Sequence, residues 1–361
     1  MPCVIDLFCG IGGLTKGLEL AGLNVVAGID FNESCRYAYE TNNQAGFIHG
    51  DITAITAQDI EALFPEDENI RILVGCAPCQ PFSKYTKRYR KEEKELGRQG
   101  DQWQSDEKWR LLYSFAELIR QTNPHVVSME NVPELEKEQV FEDFLTSLTD
   151  LGFNIAYQIA FCPDYGVPQN RRRLVLLASR LGEINLIAPQ FQPENYPTVR
   201  DAIGELPAIA AGERHELDFL HRASRLSNLN VQRIQQSVPG GTWRRDWEER
   251  LWLDCHRKDT GQTYGSVYGR MSWDEPSPTI TTQFYGYGNG RFGHPEQDRA
   301  ISLREGALLQ SFPADYQLLP PEGGLRHREI GMHIGNAVPV ELGRAIGESI
   351  LNHLTEAGVD A

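Results

Sequence analysis

Short apolar runs alternate with helix-period segments through the first half of the chain. Runs at 4–8, 25–29, 70–74 and 125–129 read as strands, with a weaker one at 47–48. Leu14, Leu18 and Ala21 share one helical face, stopped by Gly22. Trp109, Leu112, Ala116 and Ile119 mark a second helix, closed by "TNP"; Phe141, Phe144, Leu148 and Leu151 mark a third, closed by Gly152. Runs at 155–161 and 174–178 form a strand pair around "CPDYGVPQNRRR". This alternation predicts an α/β fold, a doubly wound and mostly parallel sheet with helices on both faces. Ligands of such sheets lie outside the carboxyl ends of the strands. Gly10 to Gly13, Asp30, Asp51, Cys79 and Glu130 directly follow strands, so they are expected on one rim.

From about residue 186 the alternation stops, and Pro, Arg, Trp and Gly become frequent. The stretch "GNAVPVELGRAIGESILNHL" then returns to an amphipathic helix that rejoins the first domain. The expected division is 1–186 with 326–361 as one domain, and 187–325 as a second, smaller and irregular one. Within the latter, Ser302 and Glu305 of "SLREGALLQSFP" have capping-box spacing, which marks a structural helix.

Composition narrows the class. Of 361 residues, 40% are hydrophobic, normal for a globular core. No apolar run approaches the roughly 20 residues of a bilayer span, and no charged-then-apolar leader precedes 4–8. A cytoplasmic monomer without a membrane partner is the expectation. Seven cysteines, an odd count, argue against a disulfide framework. The net charge of -15 disfavours a nucleic-acid partner as a global sum only. Between 219 and 273 nine basic residues face five acidic ones, interleaved with Trp243, Trp247, Trp252, Tyr264 and Tyr268. That stretch suits phosphates and base edges; a plain structural reading makes Trp247 and Trp252 core.

"DLFCGIGGLTKG" sits between strand and helix, where backbone N–H groups meet a ligand. The dinucleotide fingerprint G-x-G-x-x-G fails at its third glycine, which is Thr15 here. A nucleoside without phosphates fits better, and S-adenosylmethionine is the commonest. Asp30 is spaced to take ribose hydroxyls, Phe8 and Phe31 to flank an adenine, and Asp51 to accept from its amine. Alternatively the glycines only make a tight turn and Phe8 is core.

"GCAPCQPFS" places Cys76 and Cys79 three apart, with no second pair to complete a zinc site, so no metal is expected. Prolines on both sides of Cys79 describe a loop rather than the helix start of a redox pair. Cys79, held stiff by Pro78, reads as a nucleophile and Cys76 as a bystander. Glu130 of "MENV" is the candidate proton donor; taken alone, it reads first as an ordinary helix-capping or salt-bridged glutamate.

In order, "DLFCGIGG", "GCAPCQPFS", "MENV", "QNRRR", "SLREGALLQSFP" and "GNAVP" resemble the DNA (cytosine-5) methyltransferases of bacterial and phage modification systems. The resemblance implies S-adenosylmethionine as cofactor and double-stranded DNA as partner, with a restriction endonuclease encoded nearby as a further possible partner. It implies that Cys79 attacks carbon 6 of cytosine while Glu130 serves ring nitrogen 3. Arg171 and Arg173 match the Gln-x-Arg-x-Arg motif, with Arg173 preferred for the base carbonyl oxygen. Ile52, Pro78 and Asn336 join Phe8, Gly10, Gly12, Asp30, Phe31 and Asp51 as implied cofactor residues. The resemblance makes 187–325 the target-recognition domain and "KYTKRYRKEEKELGRQG" a loop that closes over DNA. Phe31 stands where many members carry tryptophan, and Cys76 where glycine or an apolar residue is usual. A transfer-RNA cytosine-5 methyltransferase is the alternative, but Cys255 is followed by His256 and Arg257 rather than by that branch's Phe-Thr. A non-catalytic DNA-binding protein is opposed by intact Cys79, Glu130 and Arg173, and a nucleotide-dependent oxidoreductase by the missing third glycine.

Overall fold

The computed structural model describes residues 2–66, 68–78, 110–258, 265–320 and 326–359. Cys79, the charged stretch after it, Trp109 and Tyr264 lie outside the described residues. The chain divides into two compact units. The first takes 1–161, 172–188 and 340–361; the second takes 162–171 and 189–339. The boundaries expected at 186 and 326 thus stand beside observed ones at 188 and 339, and the segment 162–171 goes with the second unit.

The first unit is built on β1 (Pro2–Leu7), α1 (Gly13–Ala21), β2 (Asn24–Asp30), α2 (Arg36–Asn42), β3 (Gly46–His49), α3 (Ala57–Glu61) and β4 (Ile70–Gly75). It continues with α4 (Leu111–Thr122), β5 (Val126–Asn131), α5 (Gln139–Asp150), β6 (Asn154–Phe161) and β7 (Arg172–Ser179). The seven strands form one sheet in the order β3-β2-β1-β4-β5-β7-β6. β3, β2, β1, β4 and β5 pair in parallel; β7 runs antiparallel to both β5 and β6. This is the doubly wound α/β sheet that the strand–helix alternation predicts.

Central strands of such a sheet are buried on both faces. Every residue of β1 and β5 is buried accordingly. Side chains alternate between faces. Ile5, Leu7, Leu73, Val127 and Met129 join Phe115, Phe141 and Phe144 of α4 and α5 in one core layer. Val4, Asp6, Ile72, Val74 and Glu130 take the opposite sense, toward the face where Thr15 of α1 bonds Asp6. The C-terminal helix Val340–Glu356 packs against α1 with almost no gap: a Cβ on Gly17 would stand 2.3 Å from the Val340 carbonyl oxygen.

Strand order reverses between β1 and β4, which sets the switch-point crevice at their carboxyl ends. β7 adds a reversed contribution. Because it runs backward, its first residues, Arg172 and Arg173, lie at the rim where β5 ends. β5 runs two residues past the expected 129, so Glu130 and Asn131 close the strand rather than follow it.

The second unit has its own core of Ile234, Trp243, Trp247, Leu251, Tyr287 and Ala300. Ser302 caps helix Leu303–Leu309 through a full capping box with Glu305, as its spacing predicts. Arg299 donates to Glu305 through two parallel hydrogen bonds of 2.7 Å, both residues fully buried.

Candidate active site

The loop after β1 is built for close approach. Phe8, Gly10 and Gly12 all hold positive φ, at 65°, 52° and 84°. For Gly10 and Gly12 this conformation is open; Phe8 holds it with its ring edge-on to Phe115. Among the described residues a Cβ on Gly10 would meet nothing within 4 Å. Gly10 N–H donates to Asp30 Oδ2 at 2.9 Å, and Asn32 N–H to Oδ1 at 2.8 Å. The Asp30 carboxylate is thereby fixed against the glycine turn. The next side chain, Phe31, is 67% exposed, and its carbonyl accepts from His49 Nε2 at 2.8 Å. Asp51 is exposed, with Oδ1 receiving the Thr53 N–H and hydroxyl at 2.9 Å each, while Ile52 is buried.

Beneath this loop lies a network that sequence reasoning missed. Thr15 Oγ1 donates to Asp6 Oδ2 at 2.7 Å and lies 3.0 Å from the Tyr39 hydroxyl. The residue that spoils the dinucleotide fingerprint is therefore a strut joining β1, α1 and α2. Burial pushes the Asp6 carboxyl up to about 7; the Thr15 hydrogen bond opposes this and the Asp30 charge adds to it. Burial, with the Asp6 and Asp30 charges, also pushes the Cys9 thiol well above its usual range.

These residues fit an adenosine-type methyl donor. The segments 8–12, 30–32 and 50–53 contain no Lys or Arg, yet Asp30 and Asp51 stand among them. Within these segments a pyrophosphate would meet carboxylates and no cation. A nucleoside that carries a sulfonium, an ammonium and one carboxylate, and so a net positive charge, meets hydroxyl acceptors, an exposed ring and favourable charge.

At the next strand ends, Glu130 is buried and held on both oxygens. Arg173 Nε lies 2.7 Å from Oε1, an ion pair whose N–H direction falls short of a hydrogen bond. Cys76 Sγ donates to Oε2 at 2.7 Å. Asn131 Nδ2 donates to the Ala77 carbonyl at 3.0 Å, tying the β4 loop to the end of β5 immediately before the half-buried Pro78.

Arg171 is placed differently. It belongs to the second unit, is buried, and donates to Gln169 Oε1 and to the carbonyls of Ile280, Gly335 and Ala337. Gln169 donates in turn to the Leu309 carbonyl and to Gln310 Oε1, and Gln310 to the Ile334 carbonyl. Three stretches singled out in the sequence, "QNRRR", "SLREGALLQSFP" and "GNAVP", thus meet in one buried polar knot. Asn336, in the last of them, is exposed at the end of helix His327–Asn336.

Of the nine basic residues between 219 and 273, two are structural. Arg233 is buried, bonded to the Leu251 carbonyl and set over Trp247. Arg270 is buried and donates to four carbonyls and to Asp298. Trp243 and Trp247 are core. Arg222, Arg225, Arg244, Arg245, Arg250, Arg257 and Lys258 are exposed. No helix among the described residues is long and apolar enough to cross a membrane, and no His/Cys/Asp/Glu cluster among them would hold a metal ion.

Comparison with known proteins supplies the family. The model of C-5 cytosine-specific DNA methylases matches residues 3–352. The chain is 53% identical to the type II methylase M.HgiDII of Herpetosiphon aurantiacus, over 97% of this chain and 95% of the relative. It is 30% identical to the type II methyltransferase M1.BsuMI of Bacillus subtilis, over 94% and 78% of the two chains. Among solved structures, a DNA modification methyltransferase encoded within an E. coli prophage superposes with a TM-score of 0.72 at 19% identity, covering 98% of this chain and all of that one. The S. pombe Dnmt2 methyltransferase gives 0.58 at 18% identity, covering 99% of each chain. These two likenesses establish the fold. With the family model spanning nearly its whole length, the chain belongs to the C-5 cytosine-specific DNA methylases.

Proposed function

We propose that the protein is the sequence-specific methyltransferase of a restriction-modification system, acting on carbon 5 of a cytosine flipped out of duplex DNA. The type II names of its relatives support the setting, and a cognate endonuclease is the expected neighbour. It would work as a monomer in the cytoplasm, at the nucleoid. The observation that carries the mechanism is Glu130 at the end of β5, with Arg173 on one oxygen, beside the loop that leads through Pro78 to Cys79.

When bound, S-adenosylmethionine supplies an electrophilic methyl group on a sulfonium centre. Asp30 would hold its ribose hydroxyls, Phe31 and Asp51 its adenine, and the Phe8, Gly10 and Gly12 turn, Ile52 and Pro78 the walls around it. Asn336 joins them on the resemblance alone. Cys79 sulfur forms a bond to carbon 6 of the base while Glu130 delivers a proton to ring nitrogen 3. Arg173 steadies negative charge on the base carbonyl oxygen; Arg171 braces the second unit. Carbon 5 thereby becomes nucleophilic. Transfer of its proton to water after methylation re-forms the 5,6 double bond, breaks the carbon–sulfur bond and releases Cys79 as thiolate, and ring nitrogen 3 returns its proton to Glu130. A base inside the duplex is out of reach, so flipping precedes chemistry, at a cost of a few kcal/mol. The exposed arginines of 219–273 would contact DNA, with affinity that falls steeply with salt.

The test offers mixed-sequence duplex DNA and bulk transfer RNA separately to the purified protein with labelled S-adenosylmethionine, with Cys79→Ser as control. Label in cytosines of one short DNA motif, lost in Cys79→Ser, is the expected result. Label confined to transfer RNA, or label that survives Cys79→Ser, refutes the proposal.

A further inference from the structure

The sequence gives Cys76 no task beside Cys79, yet its thiol reaches the Glu130 carboxyl. We propose that Cys76 is a positioning residue of the methylation reaction, fixing the plane of the Glu130 carboxyl through Oε2. The inference rests on the reading of Glu130 as the group that serves ring nitrogen 3.

The terminal torsion of a glutamate is broad and nearly two-fold, so one contact leaves the carboxyl free to swing. Arg173 Nε meets Oε1 at 2.7 Å, and that contact lacks hydrogen-bond direction. The Cys76 S–H meets the other oxygen at 2.7 Å. An ion pair on one oxygen and a hydrogen bond on the other together define the carboxyl plane. The thiol also stands on a fixed backbone. Cys76 N–H donates to the Leu7 carbonyl at 3.3 Å, and the Ala77 carbonyl is held by Asn131 Nδ2 at 3.0 Å. The loop that carries Cys76 is therefore pinned to β1 on one side and to the end of β5 on the other. A proton donor is effective only within hydrogen-bond reach and alignment of the atom it serves, so this orientation bears on turnover rather than on DNA affinity.

Steady-state methylation of duplex DNA by wild type, Cys76→Ala, Cys76→Ser and Glu130→Gln tests this, with the thermal midpoint of each recorded. Cys76→Ala is expected to lower kcat about tenfold, near the effect of one ordinary hydrogen bond. KM for DNA and the thermal midpoint stay at wild-type values, and Cys76→Ser, which keeps a donor, regains most of the rate. Wild-type kcat in Cys76→Ala, a Cys76→Ser as slow as the alanine variant, or a rate loss that only follows a fallen thermal midpoint overturns the proposal. If Glu130→Gln is inactive while Cys76→Ala is unimpaired, the role of Cys76 alone falls. If Glu130→Gln remains active, the reading of Glu130 falls first and takes this one with it.

Discussion

Asp6 makes the first unit sensitive to pH in a direction opposite to most carboxylates. It is fully buried, and burial raises its carboxyl from the usual 3.8 to about 7. The folded state therefore holds the proton more tightly than the unfolded chain. Its contribution is fully present below the ordinary value and is lost as pH rises through the folded one. At about 1.4 kcal/mol per pH unit, the loss across that window comes to about 4 kcal/mol. Asp6→Asn removes the titration and keeps an acceptor for Thr15. Its stability relative to wild type should then rise with pH, by about 3 kcal/mol between pH 4.5 and 7. For a unit of this size that is roughly 6–12 °C in relative midpoint. Paired thermal or urea denaturation of the two proteins through that range measures it. A constant offset is irrelevant; only the slope counts. Parallel curves would show that Asp6 is ionised in the folded protein, and the burial argument would be wrong.

Other outcomes follow from packing and charge. Gly17→Val should destabilise the first unit by several kcal/mol, beyond the roughly 1–3 kcal/mol of ordinary overpacking, because its branches meet backbone of the C-terminal helix; a wild-type thermal midpoint would contradict the contact. Glu305→Gln should cost about 3–5 kcal/mol by leaving Arg299 buried without its counter-charge, read by chemical denaturation of the second unit. Arg173→Ala should lower kcat with little change in thermal midpoint, whereas Arg171→Ala should lower the midpoint by dissolving the knot with Gln169 and Gln310; the reverse pattern would exchange their roles. Asp30→Ala should weaken S-adenosylmethionine binding at least tenfold by calorimetry, with Phe31→Trp binding as tightly as wild type or tighter.

The strands were legible because each is a short apolar run bounded by turn residues, and their order put the rim together. α2 was not legible, since its seven residues bury only Ala38 and Tyr39. The Glu130–Arg173 pairing follows from β7 running backward, which no local pattern encodes. The second unit resisted for a different reason. Its core uses arginines as internal braces, and Arg233 and Arg270 read in sequence like any arginine offered to DNA. Thr15 looked like a fault in a glycine motif because its partners, Asp6 and Tyr39, lie in other elements.

The close packing of α1 on the C-terminal helix also sets an order of events during synthesis. Gly17 meets a carbonyl some 320 residues further along the chain. At roughly 5–20 residues per second, a ribosome takes on the order of 16–64 s to cover that distance. Throughout that interval the α1 face bearing Gly17 lacks its partner, and the whole second unit emerges in the meantime. The first unit to be started is thus the last to be finished, and its opening helix waits on the closing one.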